Sequence, residues 1–390
     1  MRYEARVSGA PPPPLKVLTF LNSFHPGGVE RVALRMNAQW RAMGISAPVY
    51  IGRDEGSARD AAAGADVRII PGDPSAARAQ GIRWMVRHLP GIVRAEAPDI
   101  LFCAGNTYTA VAAAVKLALG RACPPVLVKI SNDLERRDMG PLLRLGYHRW
   151  VALQGQLLDH FIAMAPAMVP EMEARLGVPA ARISVVNDPV LRAEELAALA
   201  TLRQRAPHHA GGRRFLAIGR LAPQKNFPLL LEAFAKMAAA EDRLKLLGDG
   251  PERDMLQARA AALGIADRLS MPGHVGDLKP WLADADIFVM SSDYEGVPAV
   301  VIEAIAAQLA MVVTDCSVSM RDLLGQGRFG ALVPVRDAAA LAAAMGAAPR
   351  GQPDPAAATD HARQFTLEAG ADAYLAVMRQ LVAARAARAR

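Results

Sequence analysis

From Leu15 onward the chain alternates short apolar runs with longer stretches of helical character: "LKVLTFL", then "GGVERVALRMNAQWRAMG", then "APVYIG". "ADVRII", "PDILFCA", "PVLVKI", "HFIAMA" and "ISVVNDPV" continue the series. Runs that stay apolar, without in-and-out alternation, suit strands covered on both faces, and the helices between them supply the crossovers that parallel strands need. The rhythm predicts a doubly wound α/β domain. It breaks at "RQRAPHHAGGRR", from Arg203, where a proline and a glycine pair stand among polar residues. It restarts at "RFLAIG" and runs through "RLKLLGDG", "LSMPG", "DIFVMSS", "MVVTDC" and "GALVPV". Two Rossmann-like domains follow, residues 15–205 and 206–365, with a boundary near 205. Residues 1–14 read as a loose tail. Residues 366–390 read as a final helix, basic at its end and expected to pack back on the N-terminal domain. Open parallel sheets bind ligands beyond the carboxyl ends of their strands. The chemistry is therefore expected in a cleft between the two halves.

Composition excludes several classes. In 390 residues, 52% of them hydrophobic, no apolar run approaches the roughly 18 to 20 residues that span a bilayer. The first residues, "MRYEARVSGAPPPPLK", lack the apolar stretch of a secretory signal. Cys103, Cys123 and Cys316 are scattered and form no C-x-x-C spacing, against both a disulfide framework and a zinc site. A cytoplasmic protein is expected. The net charge of +7 is spread over both halves, and with 5% aromatics the chain lacks stacking platforms for bases, so no nucleic-acid partner is expected. A mild attraction to phosphate groups or to an anionic membrane surface fits better. Two stretches, "RWMVRHLPGIVR" from Arg83 and "LLRLGYHRWVALQGQLL" from Leu142, mix Arg, His and aromatics with Leu as interfacial helices do. Each also reads as an ordinary surface helix.

Four strand-to-helix junctions carry the residues that α/β proteins use to hold phosphates. Gly27 and Gly28 in "FHPGGVER" allow close backbone approach, or serve only the turn. Arg220 and Lys225 in "GRLAPQKNF", beside Gly219 and Asn226, place two cations on a loop after a strand, suited to a pyrophosphate. Gly248 and Gly250 in "LKLLGDGPERDML" begin a dinucleotide fingerprint whose third glycine position is Arg253, a weak signal that also reads as a tight turn. In "SSDYEGVPAVVIEAIA" Glu295 is expected on a loop and Glu303, eight residues on, inside a helix starting at Pro298. A ligand hydroxyl pair would partner a carboxylate set among apolar residues.

In this order, "GRLAPQKN", "LLGDGPE", "MPGHV" and "SSDYEGVPAVVIEA" resemble glycosyltransferase family 4, the group 1 glycosyl transferases: retaining enzymes of the GT-B fold with nucleotide-sugar donors. The resemblance spans most of residues 15–385. It implies that Glu303 accepts hydrogen bonds from the ribose, that Glu295 contacts the donor sugar, and that Arg220 and Lys225 neutralise the diphosphate. It further implies that Gly27 and Gly28 approach the donor from across the cleft and that His274 and Val275 contact the nucleobase. Gly219, Gly248 and Ser319 fall in the same donor-binding set. No cofactor and no metal is implied. The family often carries a histidine after the strand corresponding to "VLVKI"; here Asn132 and Asp133 stand there and are assigned its acceptor-side role. Val318 and Ser319 replace a glycine-rich pair, and Ala310 a common proline.

The function expected is hexosyl transfer, with retention, from a UDP- or GDP-sugar to a glycan or lipid-linked acceptor in bacterial polysaccharide or glycolipid synthesis. The protein would be cytoplasmic, with peripheral contact at the inner membrane face. A nucleotide-sugar-binding protein or an epimerase of the same fold stays open as an alternative, whereas an NAD enzyme is disfavoured by the incomplete fingerprint.

Overall fold

The structure, a computed structural model, describes residues 15–25, 27–136, 139–205 and 211–388. The expected tail, residues 1–14, lies outside the described residues, as do residues 206–210, just past the expected boundary.

Every apolar run quoted above contains a strand. The first series gives β1 (Val17–Leu21), β2 (Pro48–Ile51), β3 (Asp66–Ile69), β4 (Ile100–Cys103), β5 (Val126–Lys129), β6 (His160–Ala163) and β7 (Ile183–Val185). They form a seven-stranded sheet in the order β3-β2-β1-β4-β5-β6-β7. The second gives β8 (Arg214–Ile218), β9 (Arg243–Leu247), β10 (Leu269–Gly273), β11 (Ile287–Met290), β12 (Ala310–Thr314) and β13 (Gly330–Val333). Their order is β10-β9-β8-β11-β12-β13, with parallel pairings throughout. Central strands such as β1, β4, β11 and β12 are buried at every residue, while the edge strands β3, β7, β10 and β13 are partly exposed.

Strand alternation explains why the second sheet has a core on each face. Leu216, Phe288, Met290, Met311 and Val313 point to one side, where Ile302 and Ile305 of the helix Ala299–Ala306 cover them. Phe215, Ala217, Ile287, Val289 and Val312 point to the other, under Leu230 and Phe234 of the helix Phe227–Met237. Pro298 does not open its helix as expected. It keeps an extended ψ of 114° and caps a helix that starts at Ala299.

By compactness the chain forms two units, 1–128 with 375–390, and 129–374. Within the first, Arg385 on the last helix donates to the carbonyls of Arg121 and Cys123. No helix among the described residues is long and apolar enough to cross a membrane.

Candidate functional site

In the second sheet, strand order reverses between β8 and β11, the switch point at which open α/β sheets place ligands. The loops leaving these two strands are fastened together. Asp293 donates its N–H to the Gln224 carbonyl (2.9 Å), Gln224 Nε2 donates to the Tyr294 carbonyl (2.7 Å), and the Ser291 hydroxyl donates to the Lys225 carbonyl (2.9 Å). Asn226, in the left-handed region at φ 46°, reaches Asp293 Oδ1 at 2.9 Å.

At the centre of this seam the Lys225 ammonium lies 2.5 Å from Glu295 Oε1, and the Ser292 hydroxyl donates to the same oxygen at 2.7 Å. Glu295 is 8% exposed. Lys225, expected to neutralise a diphosphate, thus spends its charge on Glu295. Arg220 differs: it is exposed and makes no hydrogen bond or ion pair among the described residues. It is the cation of the two that an incoming anion meets unengaged. Beside them the Cys316 thiol is buried and pushed up to about 12, by burial first and then by the charge of Glu295, so it stays protonated near neutrality.

Gly219 and Gly248 serve the framework. A Cβ at Gly219 would stand 3.1 Å from Lys225 Cε, so the missing side chain makes room for the lysine stem. Gly248, at φ 140°, would put a Cβ 1.9 Å from the Gly219 carbonyl oxygen, and Gly250, at φ 156°, 2.4 Å from that of Leu221. The G-x-G element is a turn packed against the Arg220 loop, which the incomplete fingerprint left open.

Glu303 is buried at 9% exposure in the helix Ala299–Ala306, and Glu295 stands on the preceding loop, the placement expected from sequence. Ser319 is fully buried, and its hydroxyl donates to the Gly296 carbonyl at 2.8 Å, tying the two loops together. Asn132 forms an antiparallel bridge with Gly296, where a Cβ would lie 2.2 Å from the Ser131 carbonyl oxygen. Asp133 next to it accepts the Ser317 hydroxyl (3.2 Å) and the Val318 N–H (3.3 Å) on its two carboxylate oxygens. The Tyr294 hydroxyl donates to the Asp133 carbonyl at 3.2 Å. Asp133 therefore holds the Ser317–Val318 turn, while Asn132 pairs with Gly296 on the Glu295 loop.

His274 is exposed and Val275 half-buried on the loop after β10. In the first unit, Gly27 caps the helix Gly28–Ala42, and neither glycine needs a positive φ. Nothing lies within 4 Å of a Cβ built on Gly28, so packing does not require glycine there. Sequence reading passed over Glu30, which accepts the buried Tyr108 hydroxyl at 2.6 Å. Burial, and then the Glu30 charge, raises the Tyr108 phenol well above its usual range. A charged residue on the turn where this helix enters the core was the available signal. Among the described residues no three or more His, Cys, Asp or Glu side chains gather as metal ligands do.

Two parallel sheets of seven and six strands, with the fastened loops at the second sheet's switch point, define the GT-B glycosyltransferase architecture. Residues 26–190 match the profile described as Glycosyltransferase Family 4, and residues 212–348 that described as Glycosyl transferases group 1. The chain belongs to this family of glycosyltransferases. It is 37% identical over 130 residues to the lipopolysaccharide core biosynthesis glycosyltransferase LpsE of Rhizobium meliloti, which covers 33% of this chain and 37% of that one. It is 33% identical over 120 residues to an N-acetylgalactosaminyltransferase of Campylobacter jejuni acting on a diphospho-undecaprenol substrate, covering 31% and 33%. The matches thus span about a third of each relative. The fold is shared with the lipopolysaccharide outer core galactosyltransferase WaaB in its apo form (17% identity, TM-score 0.68, 92% and 98% covered). It is also shared with Anabaena HepE in complex with UDP-glucose (18% identity, TM-score 0.70, 96% and 100% covered).

Proposed function

We propose that the protein is a retaining hexosyltransferase that moves a sugar from a UDP- or GDP-sugar to a glycan or lipid-linked acceptor in bacterial polysaccharide or glycolipid synthesis. Residues 15–205 would serve the acceptor side and 206–365 the donor. The observation that carries this reading is the exposed, unengaged Arg220 guanidinium on the switch-point loop that also carries Lys225, the partner of Glu295. A planar guanidinium can take two diphosphate oxygens at once, while the Lys225–Glu295 pair holds a carboxylate for sugar hydroxyls.

In this reading Arg220 binds the diphosphate and stabilises the charge that grows there as the bond from the anomeric carbon to the phosphate oxygen breaks. The acceptor hydroxyl oxygen bonds to that carbon on the face the leaving group vacates, and its proton passes to the departing phosphate oxygen. Lys225 shares its charge between Glu295 and the diphosphate. Glu295 orients the sugar and Glu303 the ribose. His274 and Val275 border the base. With cations meeting the diphosphate, no metal is assigned. Gly27 and Gly28 keep their donor-binding assignment, which the open space around Gly28 supports.

Thermal unfolding with millimolar UDP, GDP, ADP or NAD tests the reading. A ligand at about 100 times its dissociation constant adds about 2.7 kcal/mol to stability. UDP or GDP should raise the midpoint and Arg220→Ala should remove most of that rise. A rise with NAD alone, or one that Arg220→Ala leaves intact, would overturn it. Formation of glycosylated acceptor separates a transferase from a binding protein or epimerase, and the anomeric configuration of that product, read by NMR, separates retention from inversion.

A further inference from the structure

We propose that the outward face of the helix Pro141–Leu157 docks on an anionic lipid bilayer. This inference is independent of the donor reading above.

The helix is amphipathic the wrong way round for a soluble protein. Its buried residues are Val151, Gln154 and Gly155. Leu142, Leu143, Leu145 and Leu153 face solvent at 86%, 68%, 54% and 42% exposure. At about 100° per residue, Leu142, Leu145, Arg149 and Leu153 fall on one stripe. Four of the twelve large hydrophobic residues exposed among the described residues thus lie on one helix, while the others are scattered. The orientation is imposed by packing. A Cβ at Gly155 would stand 1.9 Å from the Leu176 carbonyl oxygen and 3.1 Å from Val178 Cγ1, so this side is pressed onto the protein and cannot turn outward. The other interfacial candidate, in the helix Ile82–Glu96, behaves conventionally: Trp84, Met85, Leu89 and Val93 are buried.

Charge selects the occupant. The helix contains Arg144, His148 and Arg149 and no carboxylate. Glu135, whose carbonyl lies 3.2 Å from the His148 ring, is ion-paired with Arg175. Exposed Arg149 stands on the leucine stripe itself. A leucine stripe that carries an exposed arginine, on a helix with no carboxylate, matches a surface that is apolar inside and anionic at its headgroups. A second copy bound face to face would set Arg149 against its own like.

The full chain is sedimented with vesicles of phosphatidylcholine alone and with added phosphatidylglycerol, without donor or acceptor. Binding should favour the anionic vesicles, weaken with salt, and fall about tenfold or more in the L142S/L145S double variant. Arg149→Glu should reduce binding to the anionic vesicles alone. Because these side chains are in solvent, the variants should keep the wild-type unfolding midpoint, which separates lost docking from lost folding. No vesicle binding, binding unchanged in the variants, or self-association in sedimentation velocity that L142S/L145S abolishes would each overturn the proposal.

Discussion

The Lys225 ammonium and the Glu295 carboxylate lie 2.5 Å apart, with side chains 18% and 10% exposed, although 70 residues separate them in the chain. The pair joins the loop after β8 to the loop after β11. It therefore couples the candidate cation to the candidate sugar-binding carboxylate.

Lys225→Met should destabilise the protein by about 1–3 kcal/mol, because Glu295 loses its counter-ion while still shielded from water. Glu295→Gln, which can keep the Ser292 hydrogen bond, should cost less. A double-mutant cycle in urea should show clear non-additivity. Strictly additive losses would mean that the contact contributes no coupling.

Asp133 places a carboxylate on the Ser317–Val318 turn. If the diphosphate approaches this turn, Asp133→Asn removes a like charge and should tighten UDP binding by up to about tenfold. Titration calorimetry measures this directly. Weaker or equal binding would show that the carboxylate does not face the diphosphate.

Lys129 and Asp188 are 2% and 6% exposed and ion-paired with each other. Lys129→Met alone leaves a buried uncompensated charge and should cost about 3–5 kcal/mol, while adding Asp188→Leu should recover much of the loss. Equal destabilisation by the single and double variants in denaturant unfolding would refute this account.

The His361 pKa is lowered, by burial first; the hydrogen bond to the Leu323 carbonyl opposes this and the nearby Arg328 charge adds to it. His160 is lowered in the same way, by burial and then Arg182. In the unfolded chain both bind protons below about 6.5, so the unfolded state takes up more protons and stability rises with pH there. Stability present above about pH 6.5 should decline as pH falls toward the folded values. His361→Gln should flatten part of that slope in unfolding midpoints taken from pH 7 to 5, and an unchanged slope would exclude His361 as a contributor.

The sequence by itself determined the strands, because an apolar run long enough to be covered on both faces has few other uses, and each quoted run contains one. It also determined that Glu295 falls on a loop and Glu303 in the helix beyond it, since Gly296 and Pro298 interrupt helix formation locally. Only the tertiary structure decided how the charges are spent. Arg220 and Lys225 look equivalent on one loop, yet Lys225 meets Glu295 across 70 residues while Arg220 stays exposed. Asp133 is likewise joined to Val318 across 185 residues. Two stretches with the same interfacial composition parted in the same way: one buried its apolar face, and the other was turned leucines-outward by a glycine pressed on a neighbouring backbone. Local pattern fixes which backbone states are cheap. Which side chains meet depends on the order in which the strands assemble, and that order puts residues far apart in the chain within hydrogen-bonding distance.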